Sequence, residues 1–206
     1  MTSSSEVIDF VSRETNDKLL AFVELLRKWN PHINLVSKGE LDRIWQRHVL
    51  DSTQLFPLAS QRANKWLDIG SGGGFPGIIC AILASEISPA MEFHLVESDN
   101  RKAIFLRQAS DQLSLATTIH PIRVEQLNSG KFDIVTARAL ASLERLLGLA
   151  QPHSAPDTQM IFPKGKTSES ELTEALMSWH MEVERIPSQT DPDGVIFKIS
   201  KVRART

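Results

Sequence analysis

Apolar residues Leu19, Leu20, Phe22, Val23, Leu26 and Trp29 recur at three- and four-residue steps, the spacing that lays one stripe along an α-helix. Asn30-Pro31 follows and is expected to end that helix, because proline disfavours helical geometry in the residue before it. A second helix is expected over Leu41–Leu55, with Ile44, Trp45, His48, Val49 and Ser52 near one face. From Lys65 the pattern changes. Short apolar runs predict strands at Trp66–Ile69, Glu92–Val96, Thr117–Ile122, Phe132–Thr136 and Gln159–Phe162, with helices between them over Gly77–Ser85, Lys102–Leu113 and Ser142–Ala150. That alternation predicts a mostly parallel sheet with right-handed crossovers. After Lys166 come a helix near Glu169–Trp179 and two runs, Val183–Ile186 and Val195–Ile199, joined by the turn Asp191-Pro192-Asp193-Gly194, which predicts a terminal strand pair. The chain thus reads as α/β, a Rossmann-like doubly wound fold over 61–206 with a helical extension over 1–60.

Composition narrows the function classes. At 206 residues, 41% hydrophobic and 23% charged, the chain is ordinary for a globular protein. A net charge of −2 does not advertise nucleic-acid binding, although a local basic face can suffice, and the last nine residues hold Lys198, Lys201, Arg203 and Arg205 without an acid. No apolar run is long enough to cross a bilayer and the Met1–Glu6 start is unlike a signal peptide, so a cytoplasmic protein is expected, and the lack of a strong apolar stripe left over for a partner favours a monomer. A single cysteine, Cys80, excludes a disulfide framework and reads as a small core residue. Histidines 32, 48, 94, 120, 153 and 180 lack metal-ligand spacing, and no metal is expected.

The strongest chemical signal follows the first strand. Asp68, Gly70, Gly72 and Gly74 alternate and run into Phe75-Pro76-Gly77. Glycines are needed where a strand turns sharply into a helix and the backbone must approach a ligand. The pattern suits the amino-acid end of S-adenosylmethionine, whose ammonium matches an acid such as Asp68. Glu97, closing the second strand, is placed to accept the ribose hydroxyls, and Arg123-Val124-Glu125 to flank the adenine. Gly72, Gly74 and Gly77 also satisfy the dinucleotide fingerprint, but its first glycine comes late and Glu97 lies 25 residues from it rather than about 20. Pro163-Lys164-Gly165-Lys166 lacks the upstream glycine of a phosphate-binding loop.

The acceptor is narrowed by what is missing. After the fourth strand stands Thr136-Ala137-Arg138-Ala139, not the Asn/Asp-Pro-Pro-aromatic tetrapeptide common in enzymes that methylate exocyclic amino groups. Methylation of pyrimidine carbon 5 needs a nucleophilic cysteine, a role Cys80 does not suit. A ring nitrogen such as guanine N7 has an exposed lone pair and no proton to lose, so position and electrostatics suffice. A methyltransferase for a small molecule or protein, and an RNA-binding module without catalysis, stay open as alternatives. Arg101 and Lys102 begin a helix, where cations oppose the dipole, and an RNA-phosphate role is conceivable there.

Several blocks resemble the RsmG (GidB) family in family order: Asn34-Leu35-Val36-Ser37, Arg47-His48-Val49-Leu50-Asp51-Ser52, Asp68 to Gly77, Val96-Glu97-Ser98, Lys102 with Phe105-Leu106, Arg123-Val124-Glu125, Ala137-Arg138-Ala139 and Lys164-Gly165. The resemblance implies a class I S-adenosylmethionine-dependent methyltransferase acting on N7 of one guanine of 16S ribosomal RNA in the small subunit, with a link to streptomycin response. It implies that Gly70, Phe75, Val124, Glu125 and Arg138 contact the cofactor, and that Asn34, His48, Arg123 and Lys164, with Arg47 beside them, surround the acceptor.

Overall fold

The computed structural model describes residues 8–205, so the Met1–Glu6 start lies outside the described residues. Helix α1 (Arg13–Ile33) opens on Ser12, whose hydroxyl accepts the Thr15 N–H, and closes on Asn34 in the left-handed conformation (φ 46°). Pro31 sits in its last turn instead of ending it. The missing N–H costs one hydrogen bond there, while the Asn34 N–H still reaches the Asn30 carbonyl at 3.1 Å. The second helix is also less regular than its periodicity suggests. It divides into α2 (Lys38–Leu41), a π-helical turn Trp45–Leu50 and α3 (Asp51–Thr53), followed by a 3₁₀ turn at Phe56–Leu58. The extra residue in a π turn re-aims side chains, and this one turns His48 inward, 6% exposed.

Seven strands follow, β1 (Lys65–Ile69), β2 (Glu92–Val96), β3 (Thr117–His120), β4 (Phe132–Ala137), β5 (Ser154–Lys164), β6 (Trp179–Pro187) and β7 (Val195–Ala204). Their order in the sheet is β3-β2-β1-β4-β5-β7-β6; the first five are parallel, and β7 runs antiparallel to both β5 and β6. The terminal strand pair is as expected, except that β7 inserts between β5 and β6. The basic C-terminal residues therefore belong to a paired strand, with Lys198 and Lys201 facing Glu184 and Glu182.

Helices α4 (Gly77–Ile87) and α5 (Asn100–Leu113) pack with α1 on one face, and α6 (Leu143–Ala150) with α7 (Ser168–Ser178) on the other. Gly77–Ala84 are all buried, since α4 lies between the sheet and α1, which is why it carries no polar stripe. Cys80 lies within that stretch, with Sγ 3.8 Å from the Ser52 carbonyl, as a core residue. Phe22 of α1 meets Phe75 and Phe105 at centroid distances of 5.6 and 6.1 Å, so α1 and the sheet share one hydrophobic core. No helix among the described residues is long and apolar enough to cross a membrane.

Candidate functional site

Strand order reverses between β1 and β4, and in open α/β sheets the crevice beyond the carboxyl ends at that point is where ligands bind. A cavity of about 1140 Å³ opens there, lined by the ends of β1, β2, β4 and β5, by Asn34–Ser37, by the π turn and by the β6–β7 connection.

The turn after β1 is built by glycines in the left-handed region, Gly70 at φ 69°, Gly72 at 53° and Gly74 at 90°. They serve different ends. Nothing lies nearer a Cβ on Gly72 than the Gly70 carbonyl at 3.7 Å, so this backbone is open to a ligand. A Cβ on Gly74 would meet Ile78 and Phe22 at 2.9 Å, and Gly74 is absent from the cavity wall. Expected from the sequence beside the cofactor, Gly74 stands outside the cavity wall and lets α1 pack against the turn.

Asp68 stands outside that wall as well. Its side chain is fully buried behind the turn, outside the cavity wall, where one carboxylate oxygen accepts the Gly77 N–H at 3.2 Å and the other the Thr136 hydroxyl at 2.7 Å. Trp66 in turn donates its indole N–H to the Thr136 oxygen at 2.9 Å. Burial raises the Asp68 carboxyl to about 6, against these hydrogen bonds. Asp68 braces the turn, and its side chain is no part of the cavity wall.

Glu97 stands where the sequence puts it, at the end of β2 and in the cavity wall. The Gly72 and Asp99 N–H groups donate to its two oxygens at 2.9 and 2.8 Å, fixing the carboxylate with lone pairs to spare. Arg123, Val124 and Glu125 line the same end beside Ile122 and Leu149. An open glycine backbone, a fixed acceptor and an apolar slot match the amino-acid, ribose and adenine parts of S-adenosylmethionine, so the residues present fit that group.

Asn34, Arg47, His48, Phe75, Arg138 and Lys164 line the cavity too. Arg138 is largely committed: one guanidinium nitrogen donates to the Arg47 carbonyl at 3.1 Å and Asp51 at 3.2 Å, the other to His48 Nδ1. Its charge lies 5.3 Å above the Phe75 ring, and the His48 ring is 4.9 Å from the same ring. Burial first, and then the Arg138 charge, lower His48 to about 4, so its imidazole is neutral at physiological pH. The Lys164 ammonium donates to the Ala141 carbonyl and to Glu171, each at 2.8 Å. Arg47 pairs with Asp191 at 3.0 Å.

Sequence reasoning missed the carboxylates that answer these cations, Asp51, Glu171 and Asp191, together with Glu40 and Leu140. Asp51 lies inside the Arg47-to-Ser52 block, but the other four carry no signal in the chain itself. Asp191 answers a cation 144 residues away, Leu140 meets Gly70 of another strand's turn, Glu171 reaches Lys164 only across irregular chain, and Glu40 stands 3.6 Å from the neutral His48 ring. Six cations and six carboxylates line the cavity, so co-location of Arg47, Arg123, Arg138 and Lys164 does not make it electropositive.

Comparison with known proteins agrees with this geometry. Solved structures share the fold at low identity: a ribosomal protein L11 methylase from Lactobacillus delbrueckii subsp. bulgaricus has a TM-score of 0.60 at 16% identity, covering 78% of this chain and 79% of that one. The mitomycin 7-O-methyltransferase MmcR has a TM-score of 0.61 at 15% identity, covering 92% and 69%. Closer in sequence is a ribosomal RNA small subunit methyltransferase G of Cereibacter sphaeroides, 51% identical over 189 residues, 92% of each chain. One of the same name from Parvibaculum lavamentivorans is 46% identical over 200 residues, covering 96% of this chain and 88% of its own length. The GidB pattern, described as rRNA small subunit methyltransferase G, matches residues 15–193, and the chain belongs to that family.

Proposed function

We propose that this chain transfers a methyl group from S-adenosylmethionine to N7 of a single guanine in 16S ribosomal RNA. That it is an S-adenosylmethionine-dependent methyltransferase of small-subunit ribosomal RNA follows from its family. The choice of a ring nitrogen is our reading. The observation that carries it is the cavity wall, which among the described residues holds no cysteine nucleophile and no histidine that titrates near neutral pH. His48 is neutral but, with a pKa near 4, too weak a base, Asp68 is sealed behind the turn, and Cys80 is buried in α4.

When bound, S-adenosylmethionine supplies a methyl group on a positively charged sulfur, which a ring-nitrogen lone pair can take by in-line displacement without losing a proton. Within this reading Gly70 and Gly72 give the cofactor close approach, Glu97 accepts its ribose hydroxyls, and Val124 and Glu125 flank its adenine. Phe75 and Arg138 close the floor between cofactor and acceptor. Asn34, Arg47, His48 and Lys164 surround the acceptor, while Arg123 stands at the cofactor end, where the RNA passes it. The helical extension over 1–60 supplies the wall that the sheet domain over 61–206 lacks. We place the reaction in the cytoplasm, where small subunits are made, by a monomer, and link its loss to altered streptomycin response.

The test is tritiated methyl transfer to small subunits from a strain lacking this gene and from one possessing it. Label should enter the first and not the second. Equal labelling of both would overturn the reading.

A further inference from the structure

Leu140 is the only large apolar side chain among the described residues that is both in the cavity wall and exposed, at 43%. It lies on the connection between β4 and α6, and its position is enforced. Before it, Arg138 is tied to Asp51, His48 and the Arg47 carbonyl. After it, Lys164 holds the Ala141 carbonyl, and Glu171, itself bound to Lys164, accepts the Leu143 N–H at 2.9 Å. Between these anchors Ala139 is in the left-handed region, at φ 52°, which a residue with a Cβ seldom adopts. The result is that the Leu140 isopropyl group is laid on Gly70, with Cδ1 2.9 Å from where a Cβ on that glycine would be.

The place of this side chain in the sheet says what it is for. Glu97 and residues 122–125 stand over β2 and β3, on one side of β1, whereas Leu140 stands over β4, on the other. Gly70 closes β1, so Leu140 rests on the boundary between the cofactor end of the cavity and the acceptor end. A base reaching toward the cofactor must cross that boundary, and the isopropyl group offers its flat face an apolar surface to pack on.

We propose that Leu140 is the positioning residue for the acceptor base, the surface on which one face of the purine lies while its N7 edge points toward the cofactor. This inference rests on the reading of the cavity as the guanine methylation site.

Its test uses the full chain with Leu140→Ala, Leu140→Asn and Leu140→Met, small subunits lacking the methyl group, and S-adenosylhomocysteine as cofactor probe. Leu140→Ala and Leu140→Asn should each lower kcat/KM for the subunit about tenfold, while Leu140→Met stays within about threefold of the parent, since the thioether chain restores the apolar surface. The Kd for S-adenosylhomocysteine should stay within about twofold throughout, a split that general loosening of the fold would not give. Two results overturn the inference: unchanged kcat/KM in Leu140→Ala, or a matching loss of S-adenosylhomocysteine affinity, which makes Leu140 a wall of the cofactor slot. Should the parent chain itself fail to label these subunits, the reading of the site falls, and not the role of Leu140 alone.

Discussion

Asp68 shows how a residue read as a ligand can be a brace. Its carboxylate organises the turn through Gly77 and Thr136, and a Cβ on Gly77 would stand 2.6 Å from its oxygen, so that glycine is required by an acid nine residues earlier. Burial raises the carboxyl from 3.8 in the unfolded chain to about 6, so the folded protein holds a proton that the unfolded chain releases between those values. The stability carried by that proton is therefore full below pH 3.8 and is lost as pH rises through about 6. Relative to Asp68→Asn, the parent should lose on the order of 3 kcal/mol of unfolding free energy between about pH 4 and 7. A difference that does not change over this range, measured by urea unfolding, would show that Asp68 does not titrate there. Thr136→Val keeps the volume but strands the Trp66 indole and an Asp68 oxygen, and should lower stability by about 2–3 kcal/mol with the urea m-value unchanged.

Among the elements, the glycine turn offers the sharpest contrast. Gly72→Ala meets open space and only the left-handed backbone penalty, so it should cost about 1–2 kcal/mol and weaken S-adenosylhomocysteine binding. Gly74→Ala adds a clash with Ile78 and Phe22 to a similar strain and should cost at least about 3 kcal/mol, with α1 loosened from the sheet. Equal effects on melting would contradict this division of labour. The motif was fully legible in the sequence, but the two jobs within it were not, because Phe22 comes from a helix far earlier in the chain. Strands and helices from β1 onward were legible because each is a short run with one periodicity. The π turn was not: one extra residue in Trp45–Leu50 leaves no mark on a three- and four-residue pattern, yet it decides where His48 points. The ion pairs were hidden for the same reason as Phe22, since Arg47 with Asp191 and Arg138 with Asp51 join residues far apart in the chain.

At the scale of the whole molecule, the balance of charge in the cavity bears on how RNA is held. Arg47, Arg138 and Lys164 are each answered by a carboxylate, whereas Lys102, Arg123 and Arg145 have no such partner among the described residues. These three are the ones free to neutralise phosphates. Each phosphate neutralised on a single strand adds roughly 0.7 to the slope of log K against log salt, so replacing all three by Gln should reduce that slope for RNA binding by about 2. An unchanged slope would mean that the paired cations, or others elsewhere, hold the backbone. The shared core of α1, α4 and α5 joins the helix before Asn34–Ser37 to the sheet, so both sides of the cavity rest on one hydrophobic cluster.

The central claim is methyl transfer to a ring nitrogen that needs no base. The most direct measurement is to label small subunits lacking the modification with tritiated S-adenosylmethionine, digest the RNA and identify the labelled nucleoside. All label as 7-methylguanosine from one site is the expected result. Label in a methylated amino group, a ribose hydroxyl or a pyrimidine carbon would contradict it, because each of those acceptors must lose a proton, whereas guanine N7 has none to lose.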